Sequence, residues 1–394
     1  MPALDGMRIL DLTQYEAGTS CTQALAWMGA DVVKVEAPGI GDPGRWTAGA
    51  GDYFWNWNAN KRSVAINLRH PEGRQVLLDL LPRFDVFVEN YGPGVIERLD
   101  LEYETLKAVH PSIIYAQIKG YGLDGPYSKY LAYDMCAQAA AGTFSVTGPE
   151  DGPPTLPGVT IGDSGTGMQV GMAILAAYVQ KLRTGEGQHI EISMQEAITY
   201  YMRTRLAHGG NWGKDVVPRR GSQVGAAPSG LYACKPFGPN DYAFVLTVTA
   251  PHMDKFFMAI DRPDLVTDER FATEEARFAN TSALHAEIEK WTRTRTKHEV
   301  MKELGEAGVP CAATMDTVDL YDDPHLNQRG FIKTLPHPEL GEVRMLGFAP
   351  RMSQSEVAMT PPPDLGEHTD AVLAAELGLD ADRLQGLRAE KAIA

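Results

Sequence analysis

The sequence predicts an α/β protein: a large domain on a Rossmann-like parallel sheet, joined to a smaller α+β domain. Short β-rich segments alternate with helical patterns over residues 1–200, and a Gly/Pro-rich segment without periodicity follows over 201–230. Residues 231–329 then show hairpin patterns beside charged helices. Alternation of strand and helix is typical of βαβ units, whose strands run parallel in one sheet. Residues 330–394 return to the large domain in this interpretation.

The strands and helices of the large domain are predicted from a regular succession of segments. In chain order they are MRILDL, TQALAWMG, ADVVKVE, SVAINL, PEGRQVLLDLLPRF, VFVENY, YETLKAVH and SIIYAQIKGYG. The β-rich segments are short and apolar, as buried strands are, and the others carry apolar residues at helical spacing. Further along, HIEISM reads as a strand and QEAITYYMRTRLA as a helix.

The longest apolar helical segment covers residues 163–183, DSGTGMQVGMAILAAYVQKLR. One face of such a helix consists of Met168, Met172, Leu175 and Val179. Gly185 is a suitable helix stop. We expect this helix to lie in the core with that apolar face buried.

The second half of the chain begins with an irregular segment, HGGNWGKDVVPRRGSQVGAAPSG. A loop of this length is usually functional or lies between domains. Beyond it, LYACKPFGPNDYAFVLTVT and FIKTLPHPELGEVRMLGF read as hairpins, and HAEIEKWTRTRTKHEVMKELGEAG reads as charged helices. The tail, LGEHTDAVLAAELGLDADRLQGLRAE, has helical periodicity, and we expect it to pack on the large domain.

Composition and charge exclude several classes of protein. With 394 residues, 44% of them hydrophobic and 22% charged, the chain has a globular composition and enough length for two domains. A net charge of −15 argues against nucleic-acid binding, although a local basic pocket for one small anion remains compatible. The start MPALDGMRILDLT lacks the pattern of a secretory signal, and no segment has the apolar length of a membrane span, so we expect a cytoplasmic location and no membrane contact.

The cysteines give no sign of a metal site. Four cysteines stand far apart, with no CxxC pair and no histidine at metal-ligand spacing. Structural zinc sites normally show both features, so we predict reduced thiols and no bound metal.

The segment GIGDPG matches the GxGxxG fingerprint of dinucleotide-binding folds through Gly39, Gly41 and Gly44. That fingerprint requires a helix immediately after it. The following RWTAGAGDYFWNWN has no helical periodicity, and Pro43 removes one backbone N–H that a pyrophosphate would use. Nicotinamide or flavin binding is therefore disfavoured.

Asp163, in GDSGTG, permits two interpretations. It directly precedes the apolar helix, where an aspartate commonly caps the first-turn N–H groups, and position alone favours this role. The helix N-terminus would also keep the carboxylate ionised near neutral pH, and an ionised carboxylate can act as a covalent nucleophile. An aspartic-protease interpretation of Asp163-Ser164-Gly165 fails, because that chemistry needs two such triplets and the chain has one.

Two basic positions are candidates for phosphate binding. Lys61 lies beside aromatic residues in WNWNANKRS, where an exposed basic turn is the plain alternative. Arg98, in VENYGPGVIERLD, follows a strand-to-helix junction of the kind that collects ligands in open α/β sheets. His208, in the Gly-rich loop, has no visible orienting carboxylate, which favours a structural role over that of a general base.

Taken together, these segments resemble class III CoA-transferases, a family that includes transferases acting on oxalate and carnitine and the 2-methylacyl-CoA racemases. The matching segments are LDGMRILDLT, GADVVKVE, NANKRS, VENYGPGVIERL, IKGYGLDGPY, YDMCAQAAAG, TGPEDGPPTLPG, GDSGTGMQ, TGEGQHIEISMQEA and LGEHTDAVL. They keep their order over nearly the whole chain. The resemblance implies that Asp163 is the catalytic aspartate and that Lys61 and Arg98 hold CoA phosphates.

The resemblance also implies positions around the active site. It places CoA contacts or active-site positions at Glu16, Ala17, Tyr133 and Asp134. In the segment Gly221–Gly230 we expect a flexible cover that keeps water from reactive intermediates, and its candidate residues are Gly221, Gly225, Ala226 and Gly230. The oxalate-specific members carry a glutamine where this chain has Glu16 and a glycine run where it has 224–230, so the acceptor acid stays open.

The implied reaction is CoA exchange between an acyl-CoA and a small carboxylic acid, dicarboxylic acids included, through a mixed anhydride and an aspartyl-CoA thioester on Asp163. It requires no metal and no cofactor beyond CoA itself. The resemblance also implies an intertwined homodimer.

Two alternatives remain open. An acyl-CoA racemase would exchange the proton at the α-carbon, but the segment LAYDMCAQ lacks the histidine that the racemases have there. A non-catalytic CoA-binding protein of the same fold would bind CoA without turnover, which the presence of Asp163 disfavours.

Overall fold

The computed structural model describes residues 1–47, 51–222 and 228–394, and it divides the chain into two compact units. Unit 1 consists of Met1–Phe144, Pro157–Asp215 and Gly330–Ala394. Unit 2 consists of Ser145–Leu156 and Val216–Arg329. Within these described ranges, no helix has both the length and the apolar character that crossing a membrane requires.

Unit 1 is built around a six-stranded parallel sheet, which confirms the predicted α/β class. The strands are β1 Arg8–Asp11, β2 Asp31–Glu36, β3 Arg62–Ala65, β4 Val86–Glu89, β5 Ile114–Lys119 and β6 His189–Ser193. Their spatial order is β3-β2-β1-β4-β5-β6. β4 and β5 are buried along their whole length, as expected for parallel strands with both faces covered.

Helices connect these strands and cover the sheet. They are α1 Ala17–Ala26, α2 Asp52–Asn58, α3 Pro71–Leu80, α4 Val95–Arg98, α5 Tyr103–Val109, α6 Asp134–Ala140, α7 Ser164–Thr184, α8 Met194–Tyr201 and α9 Arg203–Leu206. Because side chains alternate along a strand, neighbouring residues enter different cores. Ile9 packs with α1 and α7, whereas Leu10 packs with α3 and α5.

Helix α7 buries a different face from the one that the sequence predicts. Met168, Met172 and Val179 are exposed, and Leu175 is half-buried, so the prediction of a buried face through these residues is wrong. The buried face consists instead of Gly167, Val170, Gly171, Ile174 and Ala177. The reason is steric: α7 lies so close to α1 that a Cβ on Gly167 would overlap Ser20 Oγ and lie 2.6 Å from Ala17 O.

Unit 2 contains a three-stranded antiparallel sheet, in the order β7 Gly230–Ala233, β8 Tyr242–Val245 and β9 Cys311–Ala313. β7 and β8 form the predicted hairpin. The helices of this unit are α10 Ala250–Ala259, α11 Asp264–Thr267, α12 Glu274–Ala279, α13 Thr281–Thr292, α14 Lys297–Glu306, α15 Thr317–Asp322 and α16 Pro324–Gln328. Its own apolar core includes Tyr232, Phe256 and Leu284.

The chain then returns to unit 1. The second predicted hairpin forms from β10 Ile332–His337 and β11 Gly341–Leu346, and the tail forms α17 Thr369–Leu377 and α18 Ala381–Ala389. Val372, Leu373, Leu384 and Leu387 join the core on the α3 face of the sheet. The tail is therefore part of the same hydrophobic core as β1 and β2.

Candidate active site

A cavity of about 170 Å³ lies beyond the carboxyl ends of β1, β4 and β5. β1 and β4 are adjacent in the sheet, but the chain runs from β1 toward β2 and from β4 toward β5, on opposite sides. Such a switch point opens a crevice in which α/β proteins bind ligands. Asn90 joins the two loops: its Oδ1 accepts from Gln14 N at 2.8 Å, and its Nδ2 donates to Gln14 O at 2.9 Å.

Asp163 lines this cavity from the N-terminus of α7 and is 9% exposed. Its carboxylate accepts no hydrogen bond from the first turn of α7, so the capping interpretation of this side chain is wrong. The chain enters α7 through an earlier turn, in which Ser164 N donates to Thr160 O and Gly165 N donates to Ile161 O. Because these amides already have acceptors, the carboxylate is not needed as a cap.

Asp134, at the start of α6, fixes the backbone beside the nucleophile candidate. Its Oδ1 accepts from Asp163 N at 3.0 Å, and its Oδ2 accepts from Gln138 Nε2 at 2.7 Å. Gly162 permits this approach, since a Cβ there would lie 2.6 Å from Asp134 Oδ1 and 2.9 Å from its carbonyl oxygen. The first glycine of GDSGTG is therefore required by the position of Asp134.

Glu16 occupies the N-cap position of α1 and is 2% exposed. Its carboxylate accepts from Thr160 Oγ1 at 2.6 Å and from Tyr53 OH at 3.1 Å. α1 and α7 are in close contact just beyond these ends, because a Cβ on Gly167 would lie 2.6 Å from Ala17 O. The carboxyl groups of Glu16 and Asp163 thus lie near each other at two adjacent helix N-termini.

Burial raises the pKa of Asp163 to about 8, and the nearby carboxyl groups of Glu16 and Asp134 add to the increase. Burial also raises the pKa of Glu16, although the hydroxyl donors on its carboxylate act in the opposite direction. The expectation that the helix N-terminus keeps Asp163 ionised near neutral pH is therefore wrong. A helix terminus contributes only about 0.3–1 kcal/mol, and burial beside two acidic side chains outweighs it.

Lys61 is buried and bound to other groups of the protein, so its predicted role as a phosphate ligand is wrong. Its side chain is 0% exposed and forms an ion pair with Asp11 at 2.9 Å. Its Nζ also donates to Asn58 Oδ1 at 2.9 Å and to Thr19 O at 3.2 Å. All three protons of the ammonium group are engaged, so no donor remains for a phosphate.

The other predicted CoA contacts lie at the same edge of the sheet as the cavity. Ala17 and Tyr133 line the cavity, and the Tyr133 ring meets the Tyr15 ring edge-on at 5.9 Å between centroids. Arg98 ends the short helix α4, which follows β4, and its side chain is exposed. The structure therefore brings Glu16, Ala17, Tyr133, Asp134 and Asp163 together.

The residues of the predicted cover belong to unit 2 or lie outside the description. Gly225 and Ala226 are not among the described residues. Gly221 has φ +55° and donates its N–H to Gly148 O at 3.0 Å. Gly230 is buried and is the first residue of β7, paired with Val245, so its assignment to a flexible loop is wrong.

Sequence reasoning missed several residues of the site. Tyr53 and Thr160 hold Glu16, yet each is far from it in the chain, and no spacing rule connects them. Lys119 lines the cavity, and its Nζ contacts the Glu89 carboxylate at 2.7 Å and the Tyr91 carbonyl oxygen at 2.6 Å. Glu89 and Lys119 are charged residues in the buried strands β4 and β5, and this pattern in the sequence could have indicated the ion pair.

The remaining motifs have other roles or none at the cavity. The GIGDPG segment continues into a 3-10 turn, Pro43–Trp46, and its Asp42 Oδ1 accepts from Tyr15 N at 3.1 Å. This bond supports Tyr15 at φ +57°, next to the cavity. His208 lies in the turn His208–Gly210 and does not line the cavity. Among the described residues, no three His, Cys, Asp or Glu side chains are grouped to hold a metal ion.

Comparison with known proteins shows similarity along the whole chain. The model of CoA-transferase family III matches residues 4–369. A formyl-CoA:oxalate CoA-transferase from Streptomyces avermitilis is 40% identical over 410 residues, covering 99% of each chain. Another, from Rhodopseudomonas palustris, is 38% identical and covers 95% of this chain and 94% of its own. A solved CAIB/BAIF family protein from Brucella suis has a TM-score of 0.84 and 30% identity, covering 95% of this chain and 99% of its own.

Proposed function

Because the chain belongs to CoA-transferase family III, we propose that it moves CoA from an acyl-CoA donor to a small carboxylic acid, with Asp163 as the covalent nucleophile. One observation carries the assignment of Asp163. Asp163 lines the cavity, while its acidic neighbours Glu16 and Asp134 accept hydrogen bonds through both carboxylate oxygens. Among the described residues, none donates a hydrogen bond to the Asp163 carboxylate, which leaves it available for bond formation.

The first half of the exchange transfers CoA to the enzyme. A carboxylate oxygen of Asp163 attacks the thioester carbon of the donor, the C–S bond breaks, and CoA leaves as the thiolate. A mixed anhydride between Asp163 and the donor acyl group remains. The thiolate then attacks the Asp163 carbonyl carbon, so the donor acid leaves as its carboxylate and an aspartyl-CoA thioester forms.

The second half reverses these steps with a different acid. The acceptor carboxylate attacks the aspartyl-CoA thioester, forms a new anhydride with Asp163 and releases the thiolate. The thiolate attacks the acyl carbon of the acceptor, which gives the new acyl-CoA and regenerates the Asp163 carboxylate. Every step replaces one activated acyl group by another, so the reaction uses CoA as a substrate and no further cofactor.

The other site residues hold the nucleophile and the CoA. Asp134 positions Asp163 through its backbone N–H, and Ala17 and Tyr133 form part of the cavity wall against which the thioester end of CoA binds. Arg98, exposed at the same edge of the sheet, binds a CoA phosphate, since guanidinium groups are well suited to bidentate phosphate contacts. Lys61 has no part in this proposal, because its ammonium group is already engaged.

We also propose that two copies of the chain form a homodimer. Helix α7 exposes Met168, Met172, Val179 and Leu182 along one side, and Met172 and Leu182 are each 69% exposed. An apolar row of this kind on a long helix is typical of an interface with a partner. The cytoplasmic location expected from the sequence stays a prediction.

The test is intact-mass measurement after rapid mixing of the enzyme with acyl-CoA. The wild type should gain the mass of an acyl or CoA adduct, and Asp163→Ala should gain neither. Asp254→Ala, at an exposed aspartate of α10, is the matched control and should behave as the wild type. Adducts that persist in Asp163→Ala would refute the nucleophile. Deuterium uptake at the α-carbon without an acceptor acid would instead indicate a racemase.

A further inference from the structure

Glu16 is a buried acid whose charge has no counterion. Its two carboxylate oxygens are held by the hydroxyl groups of Thr160 and Tyr53, at 2.6 and 3.1 Å. Hydroxyl donors satisfy the hydrogen-bonding capacity of a carboxylate but leave its negative charge in place. Within residues 1–47, 51–222 and 228–394, no lysine, arginine or histidine forms an ion pair with it.

The buried cations nearest in the fold are committed to other acids. Lys61 pairs with Asp11 and Lys34 pairs with Asp42, both inside unit 1. Lys119, the cation that lines the cavity, pairs with Glu89. Glu16 and Asp134, the acidic neighbours of Asp163, therefore have no matched positive charge among the described residues. Repulsion from both contributes to the raised pKa of Asp163.

This charge has a consequence for the acceptor acid. The acceptor must bring one carboxylate to Asp163, because that carboxylate is the attacking group. A second carboxylate on a small acid would have to lie in the same cavity of about 170 Å³, which is lined by Asp163 and by Ala17, the residue next to Glu16. Its charge would then be repelled by Glu16, as the carboxylate of Asp163 is, at low effective dielectric. A neutral group of the same size would not be repelled.

We infer that Glu16 is a specificity-determining residue that disfavours acceptors with a second carboxylate, and that the acceptors of this enzyme are small monocarboxylic acids. This inference rests on the proposed CoA transfer through Asp163. Glu16 acts through its charge, and the hydroxyls of Thr160 and Tyr53 hold that charge in place.

The experiment compares two acceptors of nearly equal shape. Oxalate carries two carboxylates, and oxamate carries an amide in place of one of them. Both are offered to the wild type and to Glu16→Gln, with the acyl-CoA that forms the Asp163-dependent adduct as donor. Glu306→Gln, at an exposed glutamate of α14, makes the same chemical change far from the cavity and is the control.

The wild type and Glu306→Gln should prefer oxamate by about tenfold or more in kcat/KM, equivalent to ~1.4 kcal/mol. Glu16→Gln keeps the shape of the side chain and an acceptor oxygen but removes the charge. Its ratio of kcat/KM for oxamate over oxalate should therefore be at least threefold smaller than that of the wild type. A wild-type preference below threefold, or a narrowing below threefold in Glu16→Gln, overturns the inference. If Glu16→Gln does not fold, the wild-type ratio of kcat/KM for oxamate over oxalate still tests the inference, because a ratio below threefold overturns it.

These outcomes can be separated from failure of the proposed function. If no adduct forms on Asp163 and no acid accepts CoA, the proposed function fails and this inference fails with it. If the adduct forms and CoA is transferred but the two acceptors are used equally, only the role of Glu16 is refuted.

Discussion

At the scale of single residues, the site combines groups that destabilise one another. Asp163 is buried beside Glu16 and Asp134, and burial is the main reason that its pKa rises to about 8. A carboxylate with a raised pKa is a stronger base and hence a stronger nucleophile, but less of it is ionised at neutral pH. For the nucleophile that we propose, the raised pKa therefore increases the reactivity of each ionised carboxylate and lowers the fraction that is ionised at neutral pH.

The raised pKa predicts how the reaction depends on pH. Below pH 8 the ionised fraction of Asp163 grows about tenfold per pH unit, so the rate of adduct formation should rise from pH 6 to 8 and level off above. Stopped-flow mixing with acyl-CoA at limiting concentration measures this rate. Glu16→Gln removes one source of repulsion, so its inflection should lie at lower pH. A wild-type rate that is flat between pH 6 and 9 would contradict the raised pKa.

The same pKa predicts a cost in stability. An acid whose pKa is higher in the folded state than in the unfolded state lowers stability as pH rises from its unfolded value, 3.8, to its folded value, about 8. We therefore expect Asp163→Asn to be more stable than the wild type by ~2 kcal/mol at pH 8, with the difference shrinking toward pH 4. Urea unfolding at both pH values measures it. Equal stability at pH 8 would count against the buried carboxyl cluster.

The place of Asp163 at the site could be inferred from the sequence and the resemblance, but its surroundings could not. Its place in GDSGTG before an apolar helix singles it out but favours a helix cap, and only the resemblance implies a catalytic role. The groups that set its pKa come from α1 and α6, which are distant in the chain and meet it only after folding. The prediction for Lys61 is wrong for the same reason. Its sequence neighbours suggest an exposed turn, but its partner Asp11 lies far away in the chain, on β1.

At the scale of elements, the contact between α1 and α7 places the two acidic residues next to each other. A helical period identifies which residues share a face but not which face is buried, and α7 is apolar nearly all round. The helical spacing of the large apolar side chains predicts that these side chains form the buried face of α7. In the structure the buried face contains Gly167 and Gly171, and at Gly167 the two helices are so close that a Cβ would overlap α1.

This contact predicts that Gly167→Ala is strongly destabilising. The new Cβ would lie 2.6 Å from Ala17 O and would also overlap Ser20 Oγ, so α1 and α7 would have to separate. We expect a loss of ~2–3 kcal/mol in the free energy of unfolding, together with a change in the pH profile as Glu16 moves from Asp163. Gly305→Ala, also within a helix but with open space at the Cβ position, should cost nothing or stabilise slightly. Comparable effects of the two substitutions on stability would contradict the tight contact.

At the scale of the whole molecule, the exposed side of α7 predicts its state of assembly. Wild-type protein should elute as a dimer in size-exclusion chromatography with light scattering, and Met172→Lys should elute as a monomer, because the charge would be buried against the partner. Met258→Lys, at a methionine of α10 that is 64% exposed, is the control and should remain a dimer. A dimeric Met172→Lys protein would place the interface elsewhere.

Unit 1 is assembled from three separate stretches of chain, and this order of synthesis constrains how the protein is made. The core on the α3 face includes Val372 and Leu387, which leave the ribosome only after the six strands and all of unit 2. Until then one face of the sheet lacks its last apolar layer, and the nascent chain presents that surface to chaperones and to other chains. Ribosome stalling within residues 330–368 should therefore yield an aggregation-prone product rather than a shortened enzyme.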